Sequence, residues 1–185
     1  LKGLVVSVAV DDPYWPSLAC FNDPRIQRVD GGAERSGSVL NALLHLHAQG
    51  ADDEDWVLVH DAARPNLSRD DLDKLLAELA DDPVGGLLAV PARDTLKRID
   101  KHGRVVETVD RSVIWQAYTP QMFRLGALHR ALADSLVADA VITDEASAME
   151  WAGQAPRLIE GRADNLKVTR PEDLEWLRQR WANRR

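Results

Sequence analysis

The sequence predicts an α/β fold with a mostly parallel sheet, interrupted by one inserted β-hairpin. Three observations predict it. Short apolar runs alternate with amphipathic stretches along the chain. One pair of charged, strand-like runs flanks Lys101-His102-Gly103, a glycine-containing turn. The 185 residues are 45% hydrophobic and show no internal repeat, low-complexity tract or linker. That is enough for one sizeable core, so a single domain over 1–185 is expected, with the hairpin region at about 93–118.

The elements follow in order. Residues 4–10 are rich in β-branched side chains and read as a buried strand. Residues 26–29 form a short strand ending at Gly31-Gly32. A helix over 36–48 carries Val39, Leu40, Leu43, Leu44 and His47 at helical spacing, with Ser36 or Ser38 as its cap. Residues 56–59 are a second strong strand. In the helix over 68–79, Ser68 and Asp71 resemble a capping box, and Leu72, Leu75, Leu76 and Leu79 form the apolar face. Residues 86–90 are a third strand. The hairpin strands are 95–100 and 104–109; their many charges indicate that they project from the core. A helix over 125–136 follows, then one capped by Thr143 and running to Trp151. Residues 157–160 and 166–169 read as short strands. Pro171 sits where a first helical turn tolerates it, and Leu174 and Leu177 continue that helix.

Composition narrows the function classes. The net charge is −7 and the pI about 5.2, a balance that repels nucleic-acid backbones and anionic membranes. The one cysteine, Cys20, allows neither an internal disulfide nor a cysteine-based zinc site. No apolar run approaches the roughly 20 residues of a membrane span, and the start has no signal-peptide pattern. The expected setting is the cytoplasm. The chain opens on Leu1 and runs almost at once into an apolar strand, which favours a numbering that starts inside a longer protein.

In parallel sheets ligands bind beyond the carboxyl ends of strands, so the residues following strands are the candidates. After 56–59 comes HDAARP. Asp61 could hold Mg²⁺ or accept a substrate hydroxyl, and the planar fork of Arg64 matches phosphate oxygens. An Asp–Arg pair that only stabilises a turn would look the same. His60 alternates away from Asp61 if the strand continues, and reads as packed or surface. After 26–29 comes GGAERSGS, a plausible edge for a base, ribose or phosphate at a helix start, although a tight turn explains it equally well. The other polar clusters are PARDTLKR, TVDR, TPQ, TDEAS and GRADNLKVT. Their Thr, Arg and Lys content suits a phosphate pocket, but nothing in the sequence shows that they converge.

Taken together, GGAERSGSVLNAL, VLVHDAARPNL, PARDTLKR, TVDRSVIWQAYTPQMF, ITDEASAMEW and EGRADNLKVTRPEDL closely resemble the 2-C-methyl-D-erythritol 4-phosphate cytidylyltransferases of the non-mevalonate isoprenoid pathway. The blocks fall in the family's order from Gly31 to Leu174; VHDAARP and GRADNLKVTRPEDL are the most specific. The resemblance implies a Rossmann-like α/β domain with a β-arm that embraces a second subunit, hence a homodimer. It implies CTP and a sugar-alcohol phosphate as substrates, with Mg²⁺. Gly32, Ala33 and Ser38 match positions around the cytosine and ribose, and Ala62 a backbone contact to the nucleotide. Asp61 matches the aspartate at the substrate hydroxyls and the metal-nucleotide region, with Arg64 in the same loop. Thr95 and Arg111 match arm residues that reach the sugar phosphate across the interface. Thr119 and Thr143 match threonines lining the substrate pocket, and Lys167 the lysine near the reacting phosphates.

The family begins with a strand and a glycine-rich Ala-Ala-Gly loop, then an arginine and a lysine that grip the triphosphate. No such stretch stands in this sequence, so the chain as written is expected to bind CTP poorly. A phosphomonoester loses its second proton near pH 6, so the attacking oxygen needs no protein base. Lys167, Asp61 and Arg111 are then the expected catalytic groups, acting by charge and position. Two alternatives stay open: a cytidylyltransferase for another polyol phosphate such as ribitol 5-phosphate, and a non-catalytic dimeric remnant without the triphosphate loop.

Overall fold

A computed structural model describes residues 2–182. In chain order they form β1 (Leu4–Val8), β2 (Ile26–Asp30), α1 (Arg35–Ala48), β3 (Trp56–Val59), α2 (Arg69–Leu79), β4 (Gly85–Pro91), β5 (Leu96–Ile99) and β6 (Val105–Val109). Then come β7 (Trp115–Arg124), α3 (Leu125–Val137), α4 (Glu145–Trp151), β8 (Arg157–Glu160) and α5 (Pro171–Ala182). The α/β class holds. The chain packs as two units: residues up to Val57 with Phe123–Pro156, and Leu58–Met122 with the residues from Arg157 on.

In the first unit β1 and β2 pair in parallel, from Leu4↔Ile26 to Val8↔Asp30. Two expectations for β1 need correction. It ends at Val8, where the Val8 carbonyl accepts from Gly31 N–H at 2.8 Å, and Val10 beyond it is 72% exposed. It is also half-buried rather than buried, being one strand of a two-stranded sheet. Helix α3 presents Leu125, Leu128, Ala131, Leu132 and Ser135 inward at the 3.6 period, packing against α1 and α4. The expected helix caps also shift. Helix α1 begins after Glu34 with no side-chain cap, and Ser36 and Ser38 lie inside it. Asp144, not Thr143, caps α4: its carboxylate accepts from Ser147 N–H while the Ser147 hydroxyl accepts from Asp144 N–H.

The second unit holds most of the sheet of order β3-β7-β4-β8. β4 and β8 run parallel with Gly86 opposite Arg157. Gly86 is required there, because a Cβ would sit 2.0 Å from the Arg157 carbonyl oxygen. Leu87 to Val90 are buried, and Leu75 and Leu79 of α2 pack over this strand. Ser68 caps α2 as expected, accepting from Asp71 N–H. The ten-residue β7, which lies between β3 and β4, has no counterpart in the sequence pattern. Pro120 and Gln121 break its apolar run, yet both are buried. β5 and β6 form the expected antiparallel arm, from Leu96↔Val109 to Ile99↔Val105, with an irregularity at Arg98/Ile99. Gly103 turns it at φ 76°, and the Asp100 carboxylate accepts from the N–H groups of His102 and Arg104. Residues 166–169 are not a strand: Val168 N–H donates to the Ala63 carbonyl at 2.7 Å, but no ladder extends from it.

Candidate active site

The turn after β3 carries a cluster of polar side chains. Lys167 Nζ lies 2.9 Å from Asp61 Oδ2, and Arg64 Nε 4.0 Å from the same oxygen. The Asp61 side chain is 13% exposed and that of Lys167 44%, so a covered carboxylate faces a cation that water and ligands can reach. Arg64 is buried: Nη1 donates to the Asn165 carbonyl at 2.8 Å, and its guanidinium lies 4.4 Å from the Tyr118 ring centroid. Asn165, 1% exposed, donates from Nδ2 to the Thr119 carbonyl at 2.9 Å. Asn66 Nδ2 donates to the Asp164 carbonyl at 2.7 Å, and the Asp164 carboxylate pairs with Arg162 and Arg180. The turn 60–66 and the loop 161–170 are thus bound to each other by several hydrogen bonds. Ala62, on the same turn, is exposed.

His60 departs from its sequence reading. β3 ends at Val59, so strand alternation no longer directs the ring, and both ring nitrogens are engaged. Nε2 is 3.0 Å from the Arg64 carbonyl and Nδ1 2.9 Å from Thr119 Oγ1, which also accepts from Asp61 N–H at 3.1 Å. The residue keeps exposed surface, but desolvation of its ring lowers the imidazole pKa, with the hydrogen bond at Arg64 opposing.

Thr95 and Arg111 flank the arm. The pairing of Leu96 with Val109 brings both to its base, and Arg111 donates to the Arg93 carbonyl. Both are exposed.

In the first unit the β2–α1 turn is held from several sides. Gly32 N–H donates to Ser38 Oγ at 2.9 Å, Ser38 Oγ donates to the Glu34 carbonyl at 3.0 Å, and Ser7 Oγ to the Ser38 carbonyl at 2.7 Å. A Cβ on Gly32 would meet the Gly37 backbone at 2.7 Å, so the turn needs glycine there. Gly32 and Ala33 are exposed, leaving backbone available to a ligand. Arg35 then reaches Glu145 at the start of α4 with both terminal nitrogens, at 2.6 and 2.9 Å. Thr143 is exposed, its N–H donating to Ser147 Oγ at 3.0 Å.

The sequence reading missed three structural centres: the Arg35–Glu145 pair, Asn165 and His60. Glu145 had a signal, being an acid in the first turn of a helix whose next residues include Ala146, Ala148 and Met149. Asn165 had none beyond its place in GRADNLKVT. Among the described residues no three His, Cys, Asp or Glu side chains gather to hold a metal. Asp61 faces two cations, which fits a divalent ion carried largely by substrate phosphates rather than one caged by protein.

Comparisons with known proteins agree on one family. The family described as IspD, 2-C-methyl-D-erythritol 4-phosphate cytidylyltransferase, matches residues 1–178. Proteins of that name are 94% identical in Pseudomonas fluorescens strain Pf0-1 and 80% in Pseudomonas putida strain W619, each over the whole chain and 79% of the relative. A crystal structure of 4-diphosphocytidyl-2C-methyl-D-erythritol synthase superposes with TM-score 0.86 at 42% identity, covering 97% of this chain and 82% of that one. The Francisella tularensis 2-C-methyl-D-erythritol 4-phosphate cytidylyltransferase gives 0.83 at 37% identity, covering 97% and 80%. The chain belongs to the IspD family of 2-C-methyl-D-erythritol 4-phosphate cytidylyltransferases.

Proposed function

We propose that this chain transfers CMP from CTP to 2-C-methyl-D-erythritol 4-phosphate and releases pyrophosphate, a step of isoprenoid precursor synthesis. The observation that carries this reading is the Asp61–Lys167–Arg64 cluster, set in a chain that is 94% identical to a cytidylyltransferase of that name. The monoester oxygen attacks the α-phosphorus of CTP; a new P–O bond forms as the bond to the β-phosphate breaks. Because that oxygen is largely deprotonated near neutral pH, no side chain needs to remove a proton.

Charge and position are left for the protein to supply. Lys167 stabilises the negative charge that builds on the α-phosphate, and Asp61 orients both the lysine and the polyol hydroxyls. Arg64 anchors the turn that carries Asp61. Thr95 and Arg111 hold the incoming phosphate, while Thr119 and Thr143 line the polyol side. Gly32, Ala33 and Ser38 receive the cytosine and ribose, with Ala62 touching the nucleotide through its backbone. A Mg²⁺ ion would be held by Asp61 and the phosphate oxygens and would neutralise the triphosphate.

The arm exposes Ile99, Val105 and Val106 at 58, 61 and 63%, apolar surface that supports a homodimer built through it. A single cysteine fits a cytoplasmic setting. No described helix is long and apolar enough to cross a membrane.

The test is pyrophosphate release by the intact protein from CTP, Mg²⁺ and 2-C-methyl-D-erythritol 4-phosphate, with ribitol 5-phosphate as competitor. Turnover of the first substrate that ribitol 5-phosphate barely inhibits supports the reading. Turnover of ribitol 5-phosphate alone reassigns the acceptor, and none with either in folded protein defeats it.

A further inference from the structure

We infer that His60 is a positioning residue for this reaction: as the Nε2–H tautomer it closes a ring of hydrogen bonds that sets the turn carrying Asp61 and Arg64. The inference rests on the reading of that turn as the reaction site.

The ring has four links. Thr119 Oγ1 meets His60 Nδ1 at 2.9 Å, and His60 Nε2 meets the Arg64 carbonyl at 3.0 Å. Arg64 Nη1 donates to the Asn165 carbonyl at 2.8 Å, and Asn165 Nδ2 donates to the Thr119 carbonyl at 2.9 Å. Elementary donor rules give it one direction. A carbonyl only accepts, so Nε2 must carry the proton. In the neutral ring Nδ1 is then a lone pair, and the Thr119 hydroxyl must donate to it. The same hydroxyl oxygen accepts from Asp61 N–H at 3.1 Å. Each donor in the ring thus meets an acceptor, and the opposite tautomer would set the Nε2 lone pair against the Arg64 carbonyl oxygen.

Burial gives the ring its stiffness. Arg64, Thr119 and Asn165 are 9, 4 and 1% exposed, so their links have little water to exchange with. His60 is the member that ties both ends of the Asp61 turn: one nitrogen governs the threonine that holds Asp61 N–H, the other holds the Arg64 carbonyl. Few side chains can do both. Lysine and arginine only donate, aspartate and glutamate only accept when ionised, and an amide too short or too long reaches one partner and misses the other. The imidazole places a donor and an acceptor on two edges of one rigid plane. Small displacements of a reacting constellation are costly, on the order of 100-fold for 1 Å, so this scaffold bears on turnover rather than on capture of the nucleobase.

Two measurements test the proposal in the intact protein. The first is a long-range ¹H–¹⁵N spectrum of the imidazoles of the wild-type protein, with His60 assigned among the five histidines by correlation to its backbone resonances. A protonated Nε2 and a lone-pair Nδ1 at neutral pH are expected; the Nδ1–H tautomer, or a ring averaging between the two, overturns the proposal even if no variant folds. The second compares His60→Asn, which can keep the acceptor toward Thr119, with His60→Gln, which can keep the donor toward Arg64. Each should lower kcat by about five- to tenfold, one neutral hydrogen bond's worth, and His60→Ala by more than either, with KM for CTP changing less than about threefold. Wild-type turnover with unchanged kcat in both conservative variants overturns the positioning role alone. A folded wild-type protein that never releases pyrophosphate defeats the functional reading itself, and the positioning role with it.

Discussion

Replacing Arg35 with alanine strands a carboxylate that the fold has already desolvated. Glu145 is 0% exposed and receives both terminal guanidinium nitrogens of Arg35, at 2.6 and 2.9 Å. Burial pushes the Glu145 carboxyl above its ordinary value of 4.5, and the hydrogen bonds and charge of Arg35 pull the other way. Without the guanidinium the upward push meets less opposition. Breaking a buried pair costs about 3–5 kcal/mol, but the Arg35 side chain is 35% exposed, so we take about 2–3 kcal/mol near neutral pH. Glu145→Gln differs, because it leaves a guanidinium that water already reaches; about 1 kcal/mol is expected. Acidification distinguishes the two by their pH dependence. A carboxyl whose folded pKa lies above its unfolded one carries no penalty below the unfolded value, and the penalty develops as pH rises through the folded value. The Arg35→Ala deficit should therefore shrink as pH falls from 7 toward 4.5, while that of Glu145→Gln changes less. Urea midpoints at both pH values, read at constant slope, measure this. Equal deficits in the two variants at pH 7, or an Arg35→Ala deficit that grows on acidification, refute the reasoning.

Lys167→Ala should lower kcat by roughly 100- to 1000-fold, about 2.7–4 kcal/mol, while the urea midpoint moves little because that side chain is 44% exposed; a folded variant with unchanged kcat removes Lys167 from the chemistry. Gly86→Ala forces a Cβ against the Arg157 carbonyl at 2.0 Å and should cost on the order of 3 kcal/mol or more; a normal urea midpoint would show that β4 and β8 separate easily. The hydrogen bond from Arg162, aided by its charge and that of Arg180, holds the Asp164 carboxyl below its ordinary 3.8. Its contribution is present above the unfolded pKa and is lost as pH falls through the lowered folded value. Asp164→Asn should therefore be less stable than wild type at pH 7 and approach it near pH 3, and a constant gap in urea midpoints across that range argues against the pairing.

Local pattern is legible where one physical demand dominates. α2 and α3 repeat leucines at the helical period, because each helix buries one stripe. The arm announces itself by charged strands around a turn that needs glycine at positive φ. β7 stayed hidden because its middle, Thr119-Pro120-Gln121, meets tertiary demands: the threonine and glutamine are buried by neighbouring chain, not by an apolar alternation. Residues 166–169 were misread for the converse reason. Leu166 and Val168 look strand-like, but hydrogen bonds from Arg64, Val168 and Asn165 commit this loop to the Asp61 turn and to Thr119. The caps slipped by a residue or more, because which of several adjacent polar side chains meets the first free N–H depends on the chain's entry angle.

By itself the sequence determined the α/β class, the arm, and the family to which the blocks from GGAERSG to VTRPEDL belong, since periodicity and residue order survive without coordinates. Tertiary structure decided which polar groups meet. Arg35 and Glu145 stand 110 positions apart and form one buried pair. Lys167 reaches Asp61, and His60 turns from an unremarkable residue after a strand into a two-sided link. The reason is physical: a hydrogen bond acts over about 3 Å, and only the folded backbone sets distances between distant residues on that scale.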